Sequence, residues 1–129
     1  MQNIDRIKTR ILIIEDNEMN RILEKDLLEQ AGLEVLEAED AESGLILARR
    51  EKPDAIVMDL RLPDMLGIEL AKILRQDKET GAIPIIFVTA DIIGKNMNDL
   101  KASGFKEYVA KPIDTRTFVD QIKKYICRC

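Results

Sequence analysis

The chain has 129 residues, of which 46% are hydrophobic and 34% charged, with a formal net charge of −4; this predicts a single domain over residues 1–129 with its core at about 9–127. The acidic balance argues against nucleic acid and against an anionic membrane surface as partners. No apolar stretch approaches the ~18 residues of a membrane span, and residues 1–5 lack the apolar core of a signal peptide, so we expect a cytoplasmic protein.

Apolar runs typical of strands alternate five times with patterns typical of helices. In chain order the predicted elements are a strand over 11–15, a helix over 17–31 ended by Gly32, a strand over 34–38, a helix from Asp40 or Ala41 to the break at Pro53-Asp54, a strand over 55–59, a helix from Leu66 to before Thr80, a strand over 83–89, a helix over 92–102, a strand over 107–110 and a last helix capped by Asp114. The helix over 92–102 has the weakest propensity, because it contains Gly94 and two Asn residues.

Four of the predicted helices have apolar or small residues at the i, i+3, i+4 spacing of one helix face. These positions are Met19, Ile22, Leu23 and Leu27 in the first helix, Ala41, Gly44, Leu45 and Ala48 in the second, Leu66, Leu70, Ile73 and Leu74 in the third, and Phe118, Ile122, Tyr125 and Ile126 in the last. Strands that are almost continuous Ile and Val, alternating with such helices, are typical of a parallel sheet covered on both sides. The pattern therefore predicts an α/β fold with a doubly wound five-stranded parallel sheet and helices on both faces.

Reactive side chains stand at the ends of four predicted strands: Glu15 and Asp16, Asp59, Thr89, and Lys111. In an open parallel sheet, ligands bind beyond the carboxyl ends of the strands. Three carboxylates, a hydroxyl and an ammonium brought together at that edge would form a site for a divalent cation and a phosphoryl group.

The three acids must be neutralised if they lie together, because two unit charges 4 Å apart repel by about 4 kcal/mol at an effective dielectric constant near 20. Lys111 supplies one positive charge, and a hard divalent cation would supply two more. Oxygen-only ligands suit Mg²⁺. The alternative is an acidic surface on which loops keep the three carboxylates apart.

Histidine is absent from the chain, and its two cysteines, Cys127 and Cys129, stand at the end of the sequence. A zinc site and a His-containing catalytic triad are therefore excluded. A disulfide between cysteines two residues apart has poor geometry. We expect reduced thiols, and the role of these cysteines is open.

Four segments, in order along the chain, resemble the motifs of response-regulator receiver domains in two-component signalling, of the stand-alone or hybrid-kinase type. They are Ile11 to Asn17, Val57 to Gly67, Phe87 to Ala90, and Lys111-Pro112. The resemblance covers about residues 9–127 and implies the flavodoxin-like strand order 2-1-3-4-5. It also implies a cis peptide between Lys111 and Pro112.

The resemblance implies a role for each strand-end residue. Asp59 would accept a phosphoryl group, Mg²⁺ would be held by Asp16, Asp59 and the carbonyl of Arg61, with Glu15 acting through water, and Lys111 and Thr89 would contact the phosphoryl oxygens. Such chemistry needs positioning and charge neutralisation more than covalent activation.

Further residues would govern the phosphorylated state. Thr89 and Tyr108 would form a switch, with Tyr108 turning between exposed and buried positions; packing of Tyr108 at the sheet edge is the alternative. Arg61 and Asp91, two residues after Asp59 and Thr89, would tune the lifetime of the phosphoryl group, either as an ion pair or as separate solvated side chains.

Two positions are less typical of the family or open to another interpretation. Leu66 occupies a position where many receivers have a second acid, and we expect it to pack. Asn17 and Asn20 resemble receivers of hybrid kinases and phosphorelays, and Asn17 suits a helix N-cap equally well.

As partners, the resemblance implies a sensor histidine kinase or histidine phosphotransfer protein and a downstream protein target, with output by protein contact or phosphate relay. The chain would then not be an enzyme but a protein phosphorylated on Asp59 that slowly loses the phosphoryl group by itself. Residues 92–127 would form the surface that changes on phosphorylation, and they are also a candidate contact for a phosphorylation-dependent dimer.

Three other functions fit the same fold class. A flavodoxin-type cofactor module would need a Ser/Thr/Gly-rich phosphate loop after the first strand, where this chain has Glu15 to Glu18. A small-molecule aspartyl phosphatase would favour a second acid two residues after the nucleophile, where Arg61 stands. A degenerate receiver used only for protein contacts would lack some of the five strand-end residues.

Overall fold

The structure is a computed structural model that describes residues 8–90, 95–105 and 107–126, without the side chains of residues 95–97. Its elements are β1 (Arg10–Ile14), α1 (Glu18–Gln30), β2 (Glu34–Ala38), α2 (Ala41–Glu51), β3 (Ala55–Met58), α3 (Gly67–Gln76), β4 (Ile85–Thr89), α4 (Lys95–Ala102), β5 (Tyr108–Ala110) and α5 (Phe118–Ile126). The strands pair in parallel in the order β2-β1-β3-β4-β5. The predicted fold class and strand order are confirmed.

Alternation along the strands divides the core into two layers, one on each face of the sheet, because successive side chains of a strand point to opposite faces. Leu12, Ile14, Ile56, Met58 and Phe87 belong to the layer covered by α2, α3 and α4. The other layer contains the residues between them and is covered by α1 and α5: Ile11, Ile13, Ala55, Val57, Ile86 and Val88. Burial on both faces explains why these strands read as continuous apolar runs.

The first helix differs from prediction in the face that it buries. Its spacing correctly predicts a helix, and Leu27 of the predicted face packs against the core, but Met19, Ile22 and Leu23 are 77%, 46% and 38% exposed. The buried residues of α1 are instead Glu24 and Leu28. Periodicity identifies an apolar face, but it does not say whether that face meets the sheet.

Element boundaries differ from prediction by a few residues at several ends. The strand predicted from 83 starts at Ile85, although the carbonyl of Pro84 still accepts from the amide of Ile56 in β3 at 2.9 Å. The last helix starts at Phe118 and follows a turn in which Asp114 Oδ1 accepts from the amide of Arg116 at 2.9 Å. Asn17 is the N-cap of α1, with its Oδ1 accepting from the amide of Asn20 at 2.9 Å. Within the described ranges, none of the helices is both long and apolar enough to cross a bilayer.

Candidate functional site

The acids predicted to converge do so, directly after the ends of two neighbouring strands. β1 and β3 pair in parallel with Ile14 opposite Met58, so the residues that follow them leave the sheet side by side. Glu15, Asp16 and Asp59 each place a carboxylate oxygen within 4.8 Å of the others. These three residues are called the acid cluster below. Their donor set consists entirely of hard oxygen atoms, which is the type that Mg²⁺ prefers.

Lys111 supplies the positive charge at the acid cluster. It follows β5, and its Nζ donates to Asp59 Oδ2 at 2.8 Å and to Glu15 Oε1 at 3.0 Å. The Lys111–Pro112 peptide is cis, as the family resemblance implies. The ammonium therefore joins two of the three carboxylates and reduces the repulsion between them.

Burial and charge shift the pKa values of these groups in ways that keep Lys111 positive. Burial raises the pKa of Glu15, against the opposing effect of its bonds from Lys111 and the amide of Asn17. Burial acts to lower the pKa of Lys111, but hydrogen bonds to Asp59 and Glu15 outweigh it, so this pKa is raised. Lys111 is therefore protonated throughout the physiological range.

The loop after β3 packs closely on the backbone of Asp59. The amide of Gly67 donates to the carbonyl of Leu60 at 2.6 Å, and a Cβ added at Gly67 would overlap the carbonyl oxygen of Asp59. Only glycine allows this close approach.

Leu66, predicted to pack, is 50% exposed and is the N-cap residue of α3, so that prediction is wrong. It precedes the first helical turn and therefore lies beyond the face that α3 packs on the sheet.

Arg61 begins this loop, with its amide 3.4 Å from Asp59 Oδ1 and its side chain exposed. Its backbone therefore lies beside the acid cluster, where the predicted carbonyl ligand would be required. Asp91, its predicted partner in tuning the phosphoryl lifetime, lies outside the described residues, as do Cys127 and Cys129.

Thr89 and Tyr108 lie on the adjacent parallel strands β4 and β5, where Thr89 is opposite Ala110 and Tyr108 is opposite Phe87. Thr89 ends β4 and is 2% exposed, whereas Tyr108 begins β5 and is 36% exposed. The amide of Lys111 donates to the Thr89 carbonyl at 2.9 Å, which links the Thr89 backbone to the residue that contacts Asp59. Their switch role stays a prediction.

Sequence reasoning missed Glu24, a buried acid of α1 that interacts electrostatically with Glu15 and Asp59 of the acid cluster. Its side chain is on the inward side of α1 and is 2% exposed. Burial raises its pKa to about 8, with further increases from the charges of Glu15 and Asp59 and an opposing decrease from Lys111. In the part of the chain that the structure describes, no hydrogen bond to its carboxyl group is found. The sequence signal that could have indicated its burial is its i, i+4 spacing from Leu28, the other buried residue of α1.

Glu24 is expected to make the fold less stable as pH rises. With a folded pKa of about 8 against an ordinary 4.5, the folded protein retains a proton that the unfolded chain loses between these pH values. The free energy of unfolding therefore falls across that window and is lowest above it. Glu24→Gln should remove this loss. The free energy of unfolding of the variant, relative to that of the parent, should therefore rise by roughly 3 kcal/mol between pH 5 and pH 9. This figure takes about 1.36 kcal/mol per pKa unit and is reduced because the surroundings of a buried charge relax.

Urea denaturation at several pH values measures this effect. Glu29→Gln, on the exposed side of the same helix, is the matched control and should follow the parent at every pH. Parallel pH profiles for the parent and Glu24→Gln would show that the carboxyl of Glu24 is ionised already near its ordinary pKa.

A family model and a protein of known name both match this chain, and both are response regulators. A model of the response regulator receiver domain matches residues 11–123. The polar-differentiation response regulator DivK of Brucella anthropi is 38% identical over 116 residues, covering 90% of this chain and 94% of the relative.

Solved structures with the same architecture also include a receiver domain and a response regulator. The receiver domain of a sensor histidine kinase from Pseudomonas aeruginosa PAO1, solved with a magnesium ion coordinated in its active site cleft, superimposes with a TM-score of 0.85 at 28% identity, covering 92% of this chain and 98% of that one. The chemotaxis response regulator CheY4 of Vibrio cholerae has a TM-score of 0.85 at 25% identity, with the same coverage.

Proposed function

The chain belongs to the response regulator receiver domains of two-component signalling, and on that premise we propose that Asp59 accepts a phosphoryl group in a magnesium-dependent reaction. The observation that carries the proposal is the contact of Lys111 Nζ with Asp59 Oδ2 at 2.8 Å. Asp59 is also a member of the acid cluster, whose carboxylate oxygens lie within 4.8 Å of one another. A nucleophile, a fixed positive charge and a cation-binding donor set are thus adjacent.

The residues present fit a magnesium ion. Asp16, Asp59 and the carbonyl of Arg61 would hold it directly, and Glu15 would act through water. When bound, the ion supplies positive charge that offsets the charge of the incoming phosphoryl oxygens. The magnesium in the cleft of the Pseudomonas aeruginosa receiver domain supports this assignment.

Asp59 acts as the nucleophile toward a phosphohistidine of the donor protein. A carboxylate oxygen of Asp59 forms a bond to phosphorus while the bond from phosphorus to the imidazole nitrogen breaks. The imidazole already carries a proton on its other ring nitrogen, so it takes up the electron pair of the broken bond and leaves as a neutral ring. Lys111 stabilises the phosphoryl oxygens during transfer, and Thr89 donates its hydroxyl hydrogen to one of them afterwards.

Phosphorylation would change a protein-binding surface. We assign the switch to Thr89 and Tyr108, because the exposed ring of Tyr108 lies on the strand next to Thr89. The responding surface falls within residues 92–127, which is also a candidate contact for a phosphorylation-dependent dimer. Arg61 and Asp91 would tune the lifetime of the phosphoryl group.

A protein is proposed as the phosphodonor, either a sensor histidine kinase or a histidine phosphotransfer protein. Large apolar side chains are exposed on α1, next to the acid cluster: Met19, Ile22 and Leu23. A contiguous exposed apolar patch is typical of a protein contact. A downstream protein target completes the proposal. We also propose a cytoplasmic location, where the nucleotide that supplies a kinase is present.

The chain is then a phosphorylated signalling protein and not an enzyme, apart from slow loss of its own phosphoryl group to water. The flavodoxin-type alternative is less well supported, because the residues after β1 are acidic and would repel a phosphate. The phosphatase alternative lacks an acid at position 61.

Incubation with acetyl phosphate tests the proposed function. With Mg²⁺, the intact mass should increase by one phosphoryl group, and with a chelator in excess no increase should occur, because the acid cluster then repels the donor. An increase of equal size without a divalent cation would overturn the magnesium dependence, and no increase under any condition would overturn the proposed function.

A further inference from the structure

Arg21, which belongs to none of the family motifs described above, contacts the backbone of the acid cluster. It lies on the first turns of α1 and its side chain is only 12% exposed. One guanidinium nitrogen, Nη1, donates to the carbonyl oxygen of Glu15 at 2.9 Å. That carbonyl belongs to the peptide bond that joins Glu15 to Asp16, so Arg21 contacts the link between two members of the acid cluster.

Other groups of Glu15 are also held in place, but Asp16 depends on its backbone. The amide of Glu15 donates to the carbonyl of Ala38 at 3.0 Å, and its carboxylate accepts from Lys111 and, at 3.0 Å, from the amide of Asn17. The Asp16 side chain is exposed and has no hydrogen bond or ion pair within the described ranges. Its position therefore follows from the peptide groups on either side of it.

The guanidinium of Arg21 is itself held by acids from the β2 region. Its Nε donates to Glu37 Oε1 at 3.3 Å, and its Nη2 lies 3.9 Å from Glu39 Oε2. Glu37 also pairs with Lys25, whose Nζ lies 3.1 Å from Glu37 Oε2. A planar guanidinium can donate in two directions at once, which a single ammonium cannot do in the same way.

We propose that Arg21 is a positioning residue for the cation site: by fixing the carbonyl of Glu15 between α1 and β2, it sets the direction of the Asp16 carboxylate and so the affinity for Mg²⁺. The inference rests on the proposed function for its magnesium site. Groups behind a metal ligand typically affect affinity in this way, because they fix the orientation of the ligand.

The sign of the effect separates positioning from simple electrostatics. Arg21 is positively charged, so Coulomb interaction alone predicts that its removal strengthens cation binding. Positioning predicts the opposite, because an unrestrained Glu15–Asp16 peptide leaves Asp16 less well directed.

Isothermal titration with Mg²⁺ on Arg21→Met and Lys25→Met tests the proposal. Both variants remove one positive charge that pairs with Glu37, but only Arg21 contacts the Glu15 carbonyl. We expect Arg21→Met to bind Mg²⁺ about tenfold more weakly than the parent, and Lys25→Met to bind equally well or slightly more tightly. Equal or tighter binding by Arg21→Met would overturn the proposal.

Arg21→Lys provides a second variant that keeps the charge and the fold. Electrostatics alone predicts unchanged Mg²⁺ affinity, whereas loss of the two-directional contact predicts binding weakened by about threefold. Parent-like affinity in Arg21→Lys would argue that charge, not geometry, is what this position supplies.

Amide hydrogen exchange of the metal-free protein supplies a readout that does not involve Mg²⁺. The amide of Asn17 should exchange about tenfold faster in Arg21→Met than in the parent or Lys25→Met, because the loop opens more easily. Faster exchange at Asn17 would support the contact of Arg21 with this loop even if the parent bound no Mg²⁺. Absence of Mg²⁺ binding in the parent would instead overturn the proposed function. Unchanged exchange at Asn17 would overturn the positioning role.

Discussion

Asp59→Asn is expected to show no phosphoryl incorporation from acetyl phosphate, even at saturating Mg²⁺. The side-chain amide has no anionic oxygen with which to attack phosphorus, and it loses the charge that pairs with Lys111 at 2.8 Å. The fold should persist, because the amide has nearly the shape of the carboxylate. Removing one of three neighbouring acids also relieves repulsion, which is about 4 kcal/mol for two unit charges 4 Å apart at an effective dielectric constant near 20.

Intact mass and thermal melting measure the two parts of this prediction. Asp120→Asn, an exposed residue of α5, is the matched control and should incorporate one phosphoryl group as the parent does. The assignment of Asp59 would be wrong if Asp59→Asn were labelled to the same extent as the control. A variant that lost its label together with its cooperative melting transition would be replaced by Asp59→Glu, which keeps the charge but moves the oxygen from the position set by Lys111.

Lys111→Met is expected to change metal binding and phosphorylation in opposite directions. Removing the ammonium that contacts Glu15 and Asp59 at 3.0 and 2.8 Å leaves the acid cluster more negative, so Mg²⁺ should bind about tenfold more tightly. The rate of phosphorylation at saturating Mg²⁺ should nevertheless fall about a hundredfold, because the positive charge that stabilises the phosphoryl oxygens in transfer is lost.

Titration with Mg²⁺ and the initial rate of phosphorylation separate these effects. Lys123→Met, which removes an exposed lysine from α5, should leave both quantities unchanged. If Lys111→Met were phosphorylated at the parent rate with Mg²⁺ saturating, Lys111 would have a purely structural role. Weaker Mg²⁺ binding would show instead that Lys111 is needed to hold the carboxylates in position.

The location of the site was predictable from the sequence because it depends on topology. A parallel sheet with alternating helices brings the carboxyl ends of all its strands to one edge. Glu15, Asp59, Thr89 and Lys111 each end a strand or follow one, so their convergence required no knowledge of side-chain contacts. Small errors in strand boundaries, such as those at Glu15 and Asp59, did not affect it.

The inner side of α1 was not predictable in the same way. Met19, Ile22 and Leu23 have the spacing of a core-facing surface, yet they are exposed, and Glu24 is buried in their place. Hydrophobicity assigns a glutamate to solvent, because burying a carboxyl group is costly unless it is neutral or paired. A pKa raised to about 8, which keeps it protonated at neutral pH, arises only from the surroundings that folding creates.

The contact of Arg21 with the Glu15 carbonyl was also beyond sequence reasoning. It joins a side chain of α1 to a backbone group after β1, and neither residue type nor spacing distinguishes such an arginine from a solvated one. The interpretation of Leu66 was wrong for a related reason, since its spacing fits the apolar side of α3 but the helix begins only at Gly67.

Borohydride trapping of the phosphorylated chain tests the central claim most directly. Borohydride reduces an aspartyl phosphate to homoserine, and peptide mass mapping then locates the modified residue. A single homoserine at Asp59, formed only when Mg²⁺ was present during phosphorylation, is the predicted result. Homoserine at Asp16 or Asp64 with Asp59 unmodified would contradict the account, as would incorporated phosphoryl groups that yield no homoserine.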